Sequence, residues 1–229
     1  MPGFYFSDLQ MFFIHIPKNG GNSVFNALNE VGDISRFFPI KDGLEKMRWH
    51  TSASWVRAQN PELWDSCYSF TFVRNPWDRL VSLWNHVMED RNMFCYVYGI
   101  DRLDNISYGY LYSREKEKTF SEWLISYDVP FVFRKGYQID NPELLPATKT
   151  QQMNWIYGRN GRKIVTEVFK LEESDYFVSR MKEQFGIDIS FGHYNLRNHD
   201  HYKSYYTDEL IDLVGEWFRD DIEEFGYYF

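Results

Sequence analysis

The chain has 229 residues, of which 44% are hydrophobic and 20% aromatic, and this is enough to build one sizeable domain over residues 1–229. The formal net charge of −8, with acidic residues concentrated towards the carboxyl end, argues against nucleic acid as a partner and against capture of a highly sulfated polymer by charge alone. No segment approaches the ~20 apolar residues of a membrane span, and the amino terminus has no basic segment followed by a long apolar one, so we expect a cytoplasmic protein without a membrane span.

The first strongly patterned segment predicts a strand, a glycine turn and a helix. Residues Met11 to Ile16 are typical of a buried strand, and the pair Gly20-Gly21 permits a tight turn with close backbone approach. Either Asn22 or Ser23 can cap the helix that follows. Such a turn directs backbone N–H groups and the helix dipole to one point, where Lys18 adds a cation. The segment therefore predicts an anion site of the nucleotide-binding type.

Between this segment and the next strand the pattern is weaker. Residues 33–50 are loop-like, since Pro39 and Gly43 interrupt any periodicity. Residues Thr51 to Gln59 predict a short helix, capped by Thr51 or Ser52.

The second strongly patterned segment again places a polar group at the end of a strand. Residues Tyr68 to Val73 predict a strand, and Pro76 suits the first turn of a helix. Arg74 therefore lies at the carboxyl end of the strand, and Ser82 lies on the more polar face of the helix. A planar guanidinium with a hydroxyl nearby is suitable chemistry for binding a phosphate.

The remaining pattern completes an α/β fold. Helices are predicted over 119–127 and 172–185, a strand over 164–170, and one long amphipathic helix from Thr207 to Phe225. Strands that alternate with helices, without a repeat or an interdomain linker, predict a single α/β domain. From the residues alone, the chain is an α/β domain with two candidate phosphate sites.

The first segment also resembles a known loop. A Walker loop places a glycine four residues before Gly-Lys-Ser/Thr, whereas here Lys18 precedes both glycines. The run from Ile14 to Ser23, IHIPKNGGNS, is instead similar to the IHIPKTGGTS loop of carbohydrate sulfotransferases related to the heparan sulfate 2-O- and 6-O-sulfotransferases. In that family the loop grips the 5′-phosphosulfate of 3′-phosphoadenosine-5′-phosphosulfate (PAPS). Asn19 and Asn22 stand where threonine is commoner, and both keep a polar side chain.

A second block strengthens the resemblance. The run from Phe70 to Ser82 looks like the family's FxFVRNPxDRLVS block, whose arginine and serine hold the 3′-phosphate. Lys149, Gln151 and Gln152 resemble the family's glutamine-containing segment near the nucleotide. The compact chain looks like a bacterial or viral member. The resemblance implies a P-loop-like nucleotide-binding sulfotransferase fold, a single domain with a central parallel sheet flanked by helices. The donor-binding residues that it implies are Pro17, Lys18, Asn19, Gly20, Gly21, Asn22, Ser23, Arg74 and Ser82.

The resemblance implies in-line transfer of a sulfuryl group from PAPS to a hydroxyl of an acceptor, for which a saccharide is expected. Lys18 would stabilise the leaving group, adenosine 3′,5′-bisphosphate. His50 is the candidate base, because it lies between the two phosphate blocks at a loop-to-helix boundary and related enzymes use a histidine. His50 can alternatively cap the following helix or pack on Trp49, and a glutamate base stays open. His15 is expected to be a core histidine.

Two other classes of function stay open. An ATP-dependent phosphotransferase would use magnesium, and a non-catalytic nucleotide- or glycan-binding protein could keep the same loops. Cys67 and Cys95 lack zinc-site spacing, so free buried thiols are expected, with no metal site and no redox cofactor. The sequence leaves the oligomeric state open.

Overall fold

The structure is a computed structural model that describes residues 4–35, 37–40, 43–46, 51–89, 117–126, 150–158, 160–192 and 200–229. The described residues form two compact units. The first unit contains those between 4 and 74 and those between 152 and 192. The second unit contains those between 75 and 126, residues 150 and 151, and those from 200 to 229.

A five-stranded mixed sheet organises the first unit. The described strands are β1 (Phe4–Phe6), β2 (Met11–Ile14), β3 (Ile34–Ser35), β4 (Phe37–Ile40), β5 (Gly43–Lys46), β6 (Tyr68–Val73) and β7 (Glu167–Lys170). The sheet order is β3-β1-β2-β6-β7, and β4 and β5 form a separate antiparallel pair. Strand β6 is parallel to both β2 and β7, whereas β1 is antiparallel to β2 and β3. The predicted parallel centre is confirmed, and antiparallel strands extend it on one side.

Helices follow the strands, as the α/β prediction requires. The described helices are α1 (Gly21–Asn29), α2 (Ala53–Gln59), α3 (Pro61–Ser66), α4 (Pro76–Glu89), α5 (Phe120–Ser126), α6 (Ser174–Phe185), α7 (Asp208–Trp217) and α8 (Arg219–Phe225). Short 3₁₀ turns lie at Gln152–Trp155, Leu171–Glu173 and Tyr202–Tyr205.

The core of the first unit lies on both faces of the sheet, because successive strand residues point to opposite faces. On one face the sheet packs against α1 and α6. On the other face Phe12 of β2 stacks on Trp64 of α3, with ring centroids 5.3 Å apart. The first face is mostly aromatic, and its fully buried members include Phe4, Phe13, Phe70, Phe72, Phe169 and Phe177. Burial of each such ring contributes roughly 1.5–3 kcal/mol.

Helix packing forms the core of the second unit. Helix α4 presents a side chain to this core every three or four residues, as the predicted 3.6-residue period requires. Helices α5 and α7 supply the facing side chains. The buried members of this core are Trp77, Leu80, Val81, Leu83, Phe120, Trp123, Leu124, Leu210, Val214 and Phe218.

Local structure differs from the prediction in four respects. Residues 33–50 are not all loop, because β3, β4 and β5 lie among them. The last helix is not continuous, since α7 ends at Trp217 and α8 begins at Arg219. Helix α3, which begins at Pro61 behind an Asn60 side-chain cap, was not predicted. Strands β2 and β7 are also shorter than the predicted 11–16 and 164–170.

Candidate functional site

The candidate site lies at the carboxyl edge of the parallel strands in the first unit. Strands β2 and β6 run in the same direction, with Ile14 paired to Thr71, so the segments that follow them leave at the same edge. Lys18 follows β2 and Arg74 follows β6, and both side chains are half-buried. This edge is where α/β proteins commonly bind nucleotides. The two predicted phosphate segments are therefore brought together.

The turn that carries Lys18 has an unusual backbone. Lys18 and Gly20 have φ angles of 70° and 74°, in the left-handed region. Gly20 is the N-cap of α1, and its carbonyl accepts a hydrogen bond from Val24 N at 3.1 Å. The predicted cap by Asn22 or Ser23 is wrong, because α1 begins at Gly21 without a side-chain cap. An amino-terminal turn of this kind directs backbone N–H groups and the helix dipole at one point, which suits an anion.

Gly21 is required by a close approach to a histidine ring. A Cβ atom at Gly21 would lie 2.2 Å from Nε2 of His15. His15 is buried and stacks on Phe13 with ring centroids 5.7 Å apart, which confirms the predicted core position of His15. The imidazole therefore packs directly against the backbone of Gly21, and only glycine leaves room for the ring.

Three side chains join the two segments. Asn19 Nδ2 donates to the Phe72 carbonyl at 2.8 Å and to Gln152 Oε1 at 2.6 Å. Gln152 Oε1 also accepts from Arg74 N at 2.9 Å, while Gln152 Nε2 donates to the Arg74 carbonyl at 2.9 Å. The Arg74 guanidinium donates to the Lys18 carbonyl at 3.3 Å. The turn that carries Lys18, called the donor turn below because the resemblance assigns it to the sulfuryl donor, is thus joined to the end of β6 by hydrogen bonds from both segments.

The other predicted site residues fall into three groups. Pro17 is buried in the turn, and Asn22 and Ser23 lie in the first turn of α1. Ser82 is half-buried on α4, in the second unit. His50, the candidate base, lies outside the described residues.

Two further observations concern metal-binding side chains and the cysteines. Within the described ranges, no three His, Cys, Asp or Glu side chains cluster closely enough to hold a metal ion. Cys67 is buried with a free thiol, as predicted, and burial raises its pKa, which disfavours the reactive thiolate. Cys95 lies outside the described residues. None of the helices in the described part of the chain has the length and apolar character to cross a membrane.

The site brings two cationic side chains and a helix amino terminus to one edge of the sheet. The turn after β2 offers a helix amino terminus and the Lys18 ammonium. Arg74, at the end of the neighbouring strand β6, offers a planar guanidinium. Such a combination of cationic side chains with a helix amino terminus at the edge of an α/β sheet suits an anionic ligand.

The comparison with protein families identifies the class of protein. Residues 3–228 match the model of the Sulfotransferase family, so the chain belongs to that family. No curated protein and no solved structure matches the chain. Family membership makes the protein a transferase and supports sulfuryl transfer to an acceptor as its general activity.

Proposed function

We propose that the protein transfers the sulfuryl group of PAPS to a hydroxyl of a saccharide acceptor. The observation that carries this proposal is that hydrogen bonds join the turn that carries Lys18 to Arg74 at one edge of the sheet. PAPS carries a 5′-phosphosulfate and a 3′-phosphate on one ribose, and the site offers a cationic group for each. Because the family match spans 3–228, we also infer that residues 1–229 act as one functional domain.

In this proposal the turn binds the 5′-phosphosulfate. Lys18 neutralises charge on the departing phosphate, and the backbone N–H groups at the start of α1 bind the phosphosulfate oxygens. Arg74 binds the 3′-phosphate through charge-assisted hydrogen bonds. His50 takes the proton of the acceptor hydroxyl, for which a near-neutral imidazole is suited.

The test is calorimetric binding of adenosine 3′,5′-bisphosphate to the wild type and to Arg74→Ala, with ATP–magnesium as the comparison ligand. We expect micromolar binding by the wild type, and a loss of about 10- to 100-fold in Arg74→Ala, because hydrogen bonds to charged groups contribute roughly 1.5–3 kcal/mol.

Arg57→Ala is the matched control. Arg57 forms a surface ion pair with Asp65 at 3.1 Å, and both side chains are about half exposed. Such pairs contribute little, so this variant should bind like the wild type. A wild type that prefers ATP–magnesium, or that does not bind the bisphosphate, would refute the PAPS assignment and favour the phosphotransferase.

A further inference from the structure

Gln152 occupies a fixed position between the two anion-binding segments. Its side chain is fully buried. The orientation of its amide is set by the backbone of Arg74, since Arg74 N can only donate and the Arg74 carbonyl can only accept. Gln152 Oε1 must therefore face Arg74 N, and Gln152 Nε2 must face the Arg74 carbonyl.

This orientation in turn determines the orientation of Asn19. The Asn19 atom that faces Gln152 Oε1 must be a donor, which places Nδ2 between that oxygen and the Phe72 carbonyl. Both hydrogens of Nδ2 are then used. Asn19 is 1% exposed, so no alternative from solvent competes for these bonds.

The backbone of Lys18 needs such support. A left-handed φ is unfavourable for a residue with a Cβ, and it persists where the surroundings determine it. Lys18 is held on one side by the buried side chain of Asn19 and on the other by the Arg74 guanidinium, which donates to the Lys18 carbonyl. Two sets of hydrogen bonds therefore connect the backbone of Lys18 to Arg74. One is the direct bond from the guanidinium, and the other passes through Asn19 and Gln152.

We propose that Asn19 and Gln152 are positioning residues, which hold the Lys18 ammonium at a set distance from the Arg74 guanidinium. The inference rests on the proposed function, in which these two cations bind the two ends of one donor. The resemblance counts Asn19 among the donor-binding residues, but both hydrogens of its side-chain amide bond within the protein, so we assign it to positioning, and neither amide needs to touch the donor. Their effect is on alignment, because a cation that is misplaced by about 1 Å can still bind an anion but can cost roughly 100-fold in rate.

The test compares Asn19→Ala, Gln152→Ala and the double variant with the wild type. Each single variant should lower kcat about 10- to 100-fold, while KM for PAPS and the affinity for adenosine 3′,5′-bisphosphate change less than about threefold. The double variant should be within about threefold of the worse single variant, since both residues act through one network.

Ser69→Ala is the matched control. Ser69 is also buried, and its hydroxyl bonds to Thr166 across the opposite end of β6, at 3.0 Å from Thr166 N. This variant loses a comparable hydrogen bond and should keep the wild-type kcat. If Asn19→Ala does not fold, Asn19→Ser replaces that variant. A drop in kcat at unchanged KM is again required.

The outcomes are distinct. Variants that match Ser69→Ala in kcat, that raise KM alone, or whose effects multiply in the double variant overturn the positioning role. A wild type that neither binds the bisphosphate nor turns over PAPS overturns the proposed function itself.

Discussion

Substitution of Gly21 by alanine tests the geometry of the donor turn directly. The new Cβ would lie 2.2 Å from His15 Nε2 and 2.5 Å from Cδ2 and Cε1 of the same ring. The ring is buried against Phe13, so it cannot move aside without repacking. Overpacking of this kind costs about 1–3 kcal/mol. In a chain of this size, that lowers Tm by roughly 2–12 °C.

The same substitution in a His15→Ala variant separates the clash with the His15 ring from other effects of alanine at position 21. In His15→Ala the ring is gone, and alanine is the better helix former at Gly21 by up to about 1 kcal/mol. Gly21→Ala should therefore be neutral or stabilising in that background. Urea unfolding of the wild type, both single variants and the double variant gives the coupling free energy. Equal costs of Gly21→Ala in both backgrounds would refute the close approach to His15.

Two further predictions concern the base and a buried tyrosine. His50→Ala should lower kcat by about 10²- to 10⁴-fold, while calorimetry shows unchanged bisphosphate binding. Unchanged turnover would exclude His50 as the base. Burial, and then the carboxylate of Glu167, raise the pKa of Tyr68, so the folded state holds this proton more tightly than the unfolded state. The contribution of this proton to stability is complete below about pH 10 and falls as pH rises further. The free energy of unfolding, measured in urea from pH 8 to 11, should therefore decline less steeply for Tyr68→Phe than for the wild type. Equal slopes would contradict this prediction.

The elements with strong periodicity could be predicted from the sequence. Strand β6 has the predicted bounds, because its residues are buried and turn signals lie on both sides. Helix α2 begins after Ser52, one of the two predicted caps, whose side chain accepts from Trp55 N. Helix α6 ends at Gly186, whose left-handed φ of 68° is the usual helix stop. In each of these elements the local pattern and the tertiary packing agree.

The elements that the sequence did not reveal depend on longer-range contacts. The β4–β5 pair contains Pro39 and Gly43, which weaken any strand pattern, and pairing of the two short strands stabilises them. The break between α7 and α8 falls at Phe218, an apolar residue that fits the helical period and gives no local stop signal.

The candidate site divides in the same way. Two short patterns in the sequence predict its central residues. The strand and glycine turn before α1 point to Lys18, Gly20 and Gly21, and the end of the next predicted strand points to Arg74. The bond between Asn19 and Gln152 joins residues 133 positions apart, and no local pattern specifies such a pair.

That separation has a consequence for how the protein becomes active during synthesis. The donor turn leaves the ribosome early, but Gln152 and β7 follow far later in the chain. Contacts between residues so distant in sequence form slowly, because a long loop must close before they gain any stability. A nascent chain that ends before Gln152 would contain the complete glycine-turn motif and still lack the hydrogen bonds that align Lys18 with Arg74. Activity should therefore appear only after Gln152 has formed these hydrogen bonds, so the onset of activity reports on the folding of the first unit.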